Sequence, residues 1–168
     1  MEIPFSKWYP AIENRRSYRQ YDKNHPIEPD KLAELETVCK QFTPFTGARA
    51  CLVTKPVKDI FRGIVGSYGK VKNAPSFIAF VGNSDSPTVQ EEVGYTGEGV
   101  ILEATALGLD TCWVGGFFSR KSVASSLEIK ANERVFAVTP VGYRLKNQLL
   151  EEKAMAGFGR HQNRLSVS

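Results

Sequence analysis

The stretch Gly97-Glu-Gly-Val-Ile-Leu-Glu-Ala-Thr-Ala-Leu-Gly-Leu-Asp-Thr-Cys-Trp-Val-Gly-Gly-Phe117 holds the change of period that decides the fold. Its first half closes the longest helical candidate of the chain, Gln90–Leu107. From Val100 to Leu107 that helix is apolar on nearly every side, so it is expected in a core or in a subunit interface. Gly108 stops the helix, and Thr111–Val114 reads as a short strand ending in Gly115-Gly116. Helix, glycine stop and strand in immediate succession belong to a mixed fold built around one sheet.

Working outward, the same alternation continues on both sides. Ser76–Val81 (Ser-Phe-Ile-Ala-Phe-Val) is nearly all apolar, which suits a central strand covered on both faces. Val135–Val141 reads as a final strand, and Ala48–Thr54 as a first one. Asp30–Phe42 repeats Leu32, Leu35, Val38, Cys39 and Phe42 at helical spacing, with Pro29 suited to a first turn. Shorter helices are expected at Trp8–Arg16, Asp59–Val65 and Lys121–Leu127. No repeat, low-complexity block or Ser/Gly-rich linker divides the chain, so residues 1–168 are expected to form a single domain. Neither Gly97-Glu-Gly99 nor Gly115-Gly116 gives the G-x-G-x-x-G spacing after a first strand, and a dinucleotide-binding Rossmann unit is excluded.

The composition narrows the classes. Hydrophobic residues make up 42% and charged residues 24% of the 168 positions, which excludes bulk disorder. Three widely spaced cysteines, Cys39, Cys51 and Cys112, make no framework and indicate a reducing compartment. Two histidines are too few for a Cys/His zinc site. Without a signal-like start or an 18-residue apolar run, a cytoplasmic protein without membrane contact is expected. The net charge of +4 is mild. The basic residues do not alternate with aromatics along one surface, which disfavours a nucleic-acid module.

Three stretches carry candidate chemistry. Asn14-Arg-Arg-Ser-Tyr-Arg19 gathers three guanidiniums and a hydroxyl, groups whose geometry matches phosphate oxygens. Placed at a helix end, the same cluster could simply complement the helix's negative terminus. Gly115-Gly116 at a strand end would let a flat ligand approach the backbone; standing alone, the pair would be a plain turn. Ser67-Tyr-Gly-Lys-Val-Lys-Asn-Ala-Pro75 brings Lys70 and Lys72, which could neutralise an anion or face solvent. No G-x-S-x-G elbow, P-loop or H-E-x-x-H occurs. If the protein is an enzyme, a cofactor is expected to carry the chemistry.

Taken together these segments resemble the nitroreductase family of FMN-dependent oxidoreductases. The landmarks are Arg15-Arg-Ser-Tyr-Arg19, Asn73-Ala-Pro75 before an apolar strand, Glu98–Phe117, and Val135-Phe-Ala-Val-Thr-Pro-Val-Gly-Tyr143, in the family's order. The resemblance implies an α+β fold with a central, mainly antiparallel sheet flanked by helices. It also implies an intertwined homodimer with FMN at the subunit interface. By position, Arg15, Ser17 and Arg19 would hold the FMN phosphate, with Arg16 as a possible contributor. Ser67, Tyr68, Gly69 and Lys70 would meet the pyrimidine end of the ring, and Gly115 and Gly116 the region near N5. Arg164, with Arg160 as second choice, would supply a C-terminal phosphate contact. Gln162 stands where a lysine is often found, a departure from the family's pattern. The activity implied is hydride transfer from NAD(P)H to a small acceptor such as a nitroaromatic, quinone or enone, in ping-pong order and with no obligatory catalytic side chain. The competing expectation is a protein that stores or senses FMN with little turnover.

Overall fold

The computed structural model describes residues 1–55, 60–61 and 71–145. Eight elements follow one another: α1 (Phe5–Asn14), α2 (Pro29–Gln41), β1 (Ala48–Val53), β2 (Ser76–Asn83), α3 (Val89–Ala106), β3 (Asp110–Thr111), α4 (Arg120–Ala124) and β4 (Glu133–Gly142). The four strands form one sheet in the order β1-β2-β4-β3, and every neighbouring pair is antiparallel.

The alternation of β2 explains how both of its faces are covered. Ile78 and Phe80 point into the layer made with α1, α2 and α3. Phe77, Ala79 and Val81 point into the opposite layer, against Phe118, Val123 of α4 and Ile60. A continuous apolar run is what a strand buried on both faces requires. The register between β2 and β4 slips at Phe80/Val81, so Phe136 has no partner opposite it. That irregularity lets Phe136 and Ala137 both pack into the helical layer.

The apolar half of α3 is buried by the chain itself as far as Ala104, and Ala106 is exposed. Val100, Ile101 and Ala104 are fully covered, and Gly97 and Gly99 let the helix close on the Trp113 and Phe42 rings. Its composition is therefore explained within one subunit and does not by itself call for a partner.

Several expected boundaries move. The helix expected at Trp8–Arg16 begins at Phe5 and ends at Asn14, so the basic cluster follows the helix instead of closing it. The strand expected at Thr111–Val114 is broken: Thr139 Oγ1 takes the Cys112 N–H at 3.1 Å, and pairing resumes only at Val114, which bridges Val138. The helix expected at Lys121–Leu127 ends at Ala124, where the hydroxyls of Ser125 and Ser126 bond back to the Ser122 and Val123 carbonyls. Most of the helix expected at Asp59–Val65 lies outside the described residues, and Ile60–Phe61 form part of a turn.

Candidate functional site

The site is assembled around the segment that leaves α1. Arg15 closes the helix through its N–H to the Ala11 carbonyl at 2.8 Å. Arg16 turns back and donates to the Glu13 and Arg15 carbonyls at 2.6 and 2.8 Å, where cations complement the helix end. From Ser17 the chain runs extended. Ser17 bridges Thr111 in parallel, Gln20 bridges Lys72 in parallel, and Tyr21 bridges Arg144 in antiparallel. Arg19, Lys72 and Arg144 are thereby brought onto neighbouring stretches of backbone. Tyr21 is fully buried and donates its hydroxyl to the Tyr18 carbonyl at 2.7 Å, which pins the segment.

Of the sequence candidates, Arg15 and Arg19 are partly buried and Ser17 is exposed. Arg15 Nε lies 3.1 Å from Glu98 on α3. Arg144 holds its guanidinium over the Tyr18 ring, donates to the Tyr18 hydroxyl and gives its backbone N–H to Asp110 at 2.8 Å. Burial pushes the Asp110 carboxyl up, against the pull of Arg144.

Gly115 and Gly116 are exposed, and a Cβ on either would meet nothing within 4 Å. The open space above this backbone is therefore not needed for packing. Arg120 steadies the stretch by donating to the Gly115 carbonyl and the Val135 carbonyl, each at 3.3 Å. Beside it lies a cleft of about 670 Å³, lined among others by Trp113, Phe136, Arg120 and Arg134.

One carboxylate joins the two halves. Glu98 forms an ion pair with Arg15, whose Nε lies 3.1 Å away, and accepts from the Trp113 indole N–H at 2.8 Å. It ties the start of the arginine segment to the strand that leads into Gly115. Sequence reasoning missed Glu98, Arg120 and Arg144. For Glu98 no local signal exists, because Arg15 is 83 positions away. Arg144 could have been found as a basic residue just beyond the last strand. Ser67, Tyr68, Gly69, Lys70, Arg160 and Arg164 lie outside the described residues.

None of the described His, Cys, Asp and Glu groups could hold a metal ion, and none of the described helices is long and apolar enough to cross a membrane. Burial pushes the Cys39 thiol up to about 12, so it is no nucleophile. The donor set does fit FMN. A flat ring would find open backbone at Gly115-Gly116, and a phosphate would find guanidiniums and a hydroxyl along Arg15, Ser17 and Arg19.

Comparison with known proteins gives a consistent picture. The family model described as "Putative TM nitroreductase" matches residues 7–165. Among solved structures, the chain is similar to a nitroreductase family protein from Clostridium novyi NT, with 24% identity, 87% of each chain covered and a TM-score of 0.65. It is similar to an FMN-dependent nitroreductase from Clostridium difficile R20291 at 19% identity, covering 82% of this chain and 88% of that one, with a TM-score of 0.63. A nitroreductase with bound FMN from Bacteroides fragilis NCTC 9343 shares 19% identity over 85% of this chain and 91% of its own, with a TM-score of 0.62. No curated protein matches.

Proposed function

The chain belongs to the nitroreductase family, and from that premise we propose that it is a cytoplasmic FMN-dependent oxidoreductase taking hydride from NAD(P)H to a small acceptor. The observation that carries the reading is the Glu98 link, which holds a phosphate-sized arginine segment in fixed relation to an exposed glycine pair. Bound FMN would supply the redox centre that accepts and returns the hydride. Arg15, Ser17 and Arg19 bind the phosphate, while Arg16 stays on its own helix end. Gly115 and Gly116 present backbone to the ring, and Arg120 fixes the peptide between them and β4. Ser67, Tyr68, Gly69, Lys70 and Arg164 remain family-based assignments for the ring and the phosphate. No described side chain is assigned a proton-transfer role.

The working unit is proposed to be a homodimer of single-domain subunits. Phe5, Tyr9 and Ile12 form one face of α1 and are 73%, 59% and 46% exposed, and Phe117 beside the glycine pair is 59% exposed. Apolar exposure on that scale is a normal sign of an interface. The three described cysteines are all free, which suits a reducing compartment.

The test uses two proteins and two ligands. Each charged hydrogen bond lost should weaken FMN binding by about 1.5–3 kcal/mol, or roughly 10- to 150-fold. Arg15→Ala should therefore lose FMN on dilution, whereas riboflavin, already weak, should lose little more. Equal losses for both ligands would show that Arg15 is structural. Anaerobic NADH or NADPH should bleach the FMN-loaded protein rapidly, and a flavin that stays oxidised would favour storage or sensing.

A further inference from the structure

We infer that the cleft beside Gly115 binds a planar aromatic molecule carrying a negative charge, and so selects the acceptor. This rests on the reading of Gly115 as backbone facing the redox centre. The cleft measures about 670 Å³, within the range of roughly 300–1,000 Å³ typical of small-molecule sites. Two of its walls are aromatic. Trp113 is held by Glu98 and by its packing on Phe80, with ring centroids 4.7 Å apart. Phe136 reaches the same layer because of the irregular register in β4. A ring entering between them has faces and edges to pack against.

The polar side chains of the lining are two guanidiniums and one neutral amide. Arg120, Arg134 and Gln90 line the cleft, and among the described residues no Asp or Glu does. Two carboxylates that adjoin the lining are already committed. Glu98 is paired with Arg15, and Glu133, next in sequence to Arg134, makes a double hydrogen bond to Arg49 at 2.9 and 2.8 Å. Arg134 lies over the Phe136 ring at 4.3 Å and has no ion-pair partner among the described residues. Stacking uses the flat face of a guanidinium and leaves its in-plane N–H groups for a carboxylate. An aromatic ring against Trp113 and Phe136 with its anionic group at Arg134 satisfies every one of these features. A neutral acceptor leaves the second guanidinium unanswered.

The FMN-loaded enzyme should be assayed with 4-nitrobenzoate and 4-nitrobenzamide, which share shape and differ in charge. Arg134→Gln should lower the benzoate-to-benzamide ratio of kcat/KM about tenfold, the lower bound for a charged hydrogen bond. An unchanged ratio overturns the inference. So does a loss confined to reduction by NADH, which would give the cleft to the donor. A readout free of turnover separates this inference from the redox reading. Benzoate and benzamide are titrated against the purified protein while NMR follows the indole N–H of Trp113, with the buried indole of Trp8 as an internal reference. If FMN fails to bind but benzoate still shifts Trp113 in an Arg134-dependent way, the cleft stands and the redox reading falls. If FMN binds and benzoate leaves Trp113 unmoved, the cleft falls and the redox reading stands.

Discussion

The two ends of α1 use the same pairing of cation with carboxylate and put it to opposite ends. Near its start, Lys7 pairs with Glu103 and Glu34, and the Trp8 indole N–H donates to Glu103 Oε2 at 2.6 Å. The Glu103 side chain is 2% exposed. Burial works against the Lys7 charge, but its hydrogen bonds to the two carboxylates outweigh that and hold the ammonium above its usual range. At the other end, Arg15 pairs with Glu98, whose side chain is 42% exposed. The buried group fastens α1 to α3 and has no capacity left for a ligand. The open group orients an arginine while water or a ligand can still reach it. Burial, more than the identity of the charges, separates a clamp from a site.

The sharpest way to break this contrast is to remove the buried carboxylate. Glu103→Leu leaves the buried Trp8 N–H without its acceptor, while Lys7 keeps Glu34, and an unsatisfied buried donor costs about 1–3 kcal/mol. Urea denaturation should show a loss in that range without a change of slope. Glu103→Gln keeps an acceptor for Trp8 and should cost less. A loss below about 1 kcal/mol for Glu103→Leu would erase the distinction between the two ends of the helix.

Between the two extremes lies Arg49–Glu133, with side chains 31% and 10% exposed. The hydrogen bonds from Arg49, aided by the Lys130 backbone N–H, outweigh desolvation and bring the Glu133 carboxyl down to about 2. A carboxylate with a lowered folded pKa adds stability above its unfolded value of roughly 4.3. It loses that contribution as pH falls through the folded value. Wild type should therefore melt above Glu133→Gln at neutral pH, and the gap should close between about pH 4.5 and pH 2. A gap that persists at pH 2 would mean that the glutamate acts through shape and not through charge.

These contrasts also mark how far the sequence could be read. Asp30–Phe42 and Ser76–Val81 were legible because one period or one apolar run dominates each, and neighbours only reinforce it. Thr111–Val114 was not, because the side chain that interrupts its ladder belongs to Thr139, 27 positions on. The burial of Val100–Ala104 was legible, though it stops short of the exposed Ala106, and its cause was not legible. Composition cannot distinguish a core from an interface, and here the chain's own sheet and helices cover it. Gly115-Gly116 and the arginines stood out by residue type alone. Glu98 and Arg120 did not, since an ordinary glutamate on a helix gains meaning only from the partners the fold delivers to it.

The smallest expected effect is the one that sharpens the contrast most. Glu98→Gln leaves an amide that can still accept from Trp113 or Arg15, and it removes a charge already shared with water. An exposed pair of this kind contributes about 0–1 kcal/mol. Urea denaturation should place the variant within that margin of wild type, short of the Glu103→Leu loss, although both glutamates stand on α3 and each pairs with an arginine or lysine and bonds a tryptophan indole. Salt should separate them further. Raising ionic strength from about 0.1 M to 1 M shortens the screening length from roughly 10 to 3 Å. It should abolish the remaining difference between wild type and Glu98→Gln and leave the Glu103→Leu deficit in place. A Glu98→Gln loss of several kcal/mol that resists salt would mean that Glu98 is a second clamp, and the arginine segment would then be as rigid as the start of the helix.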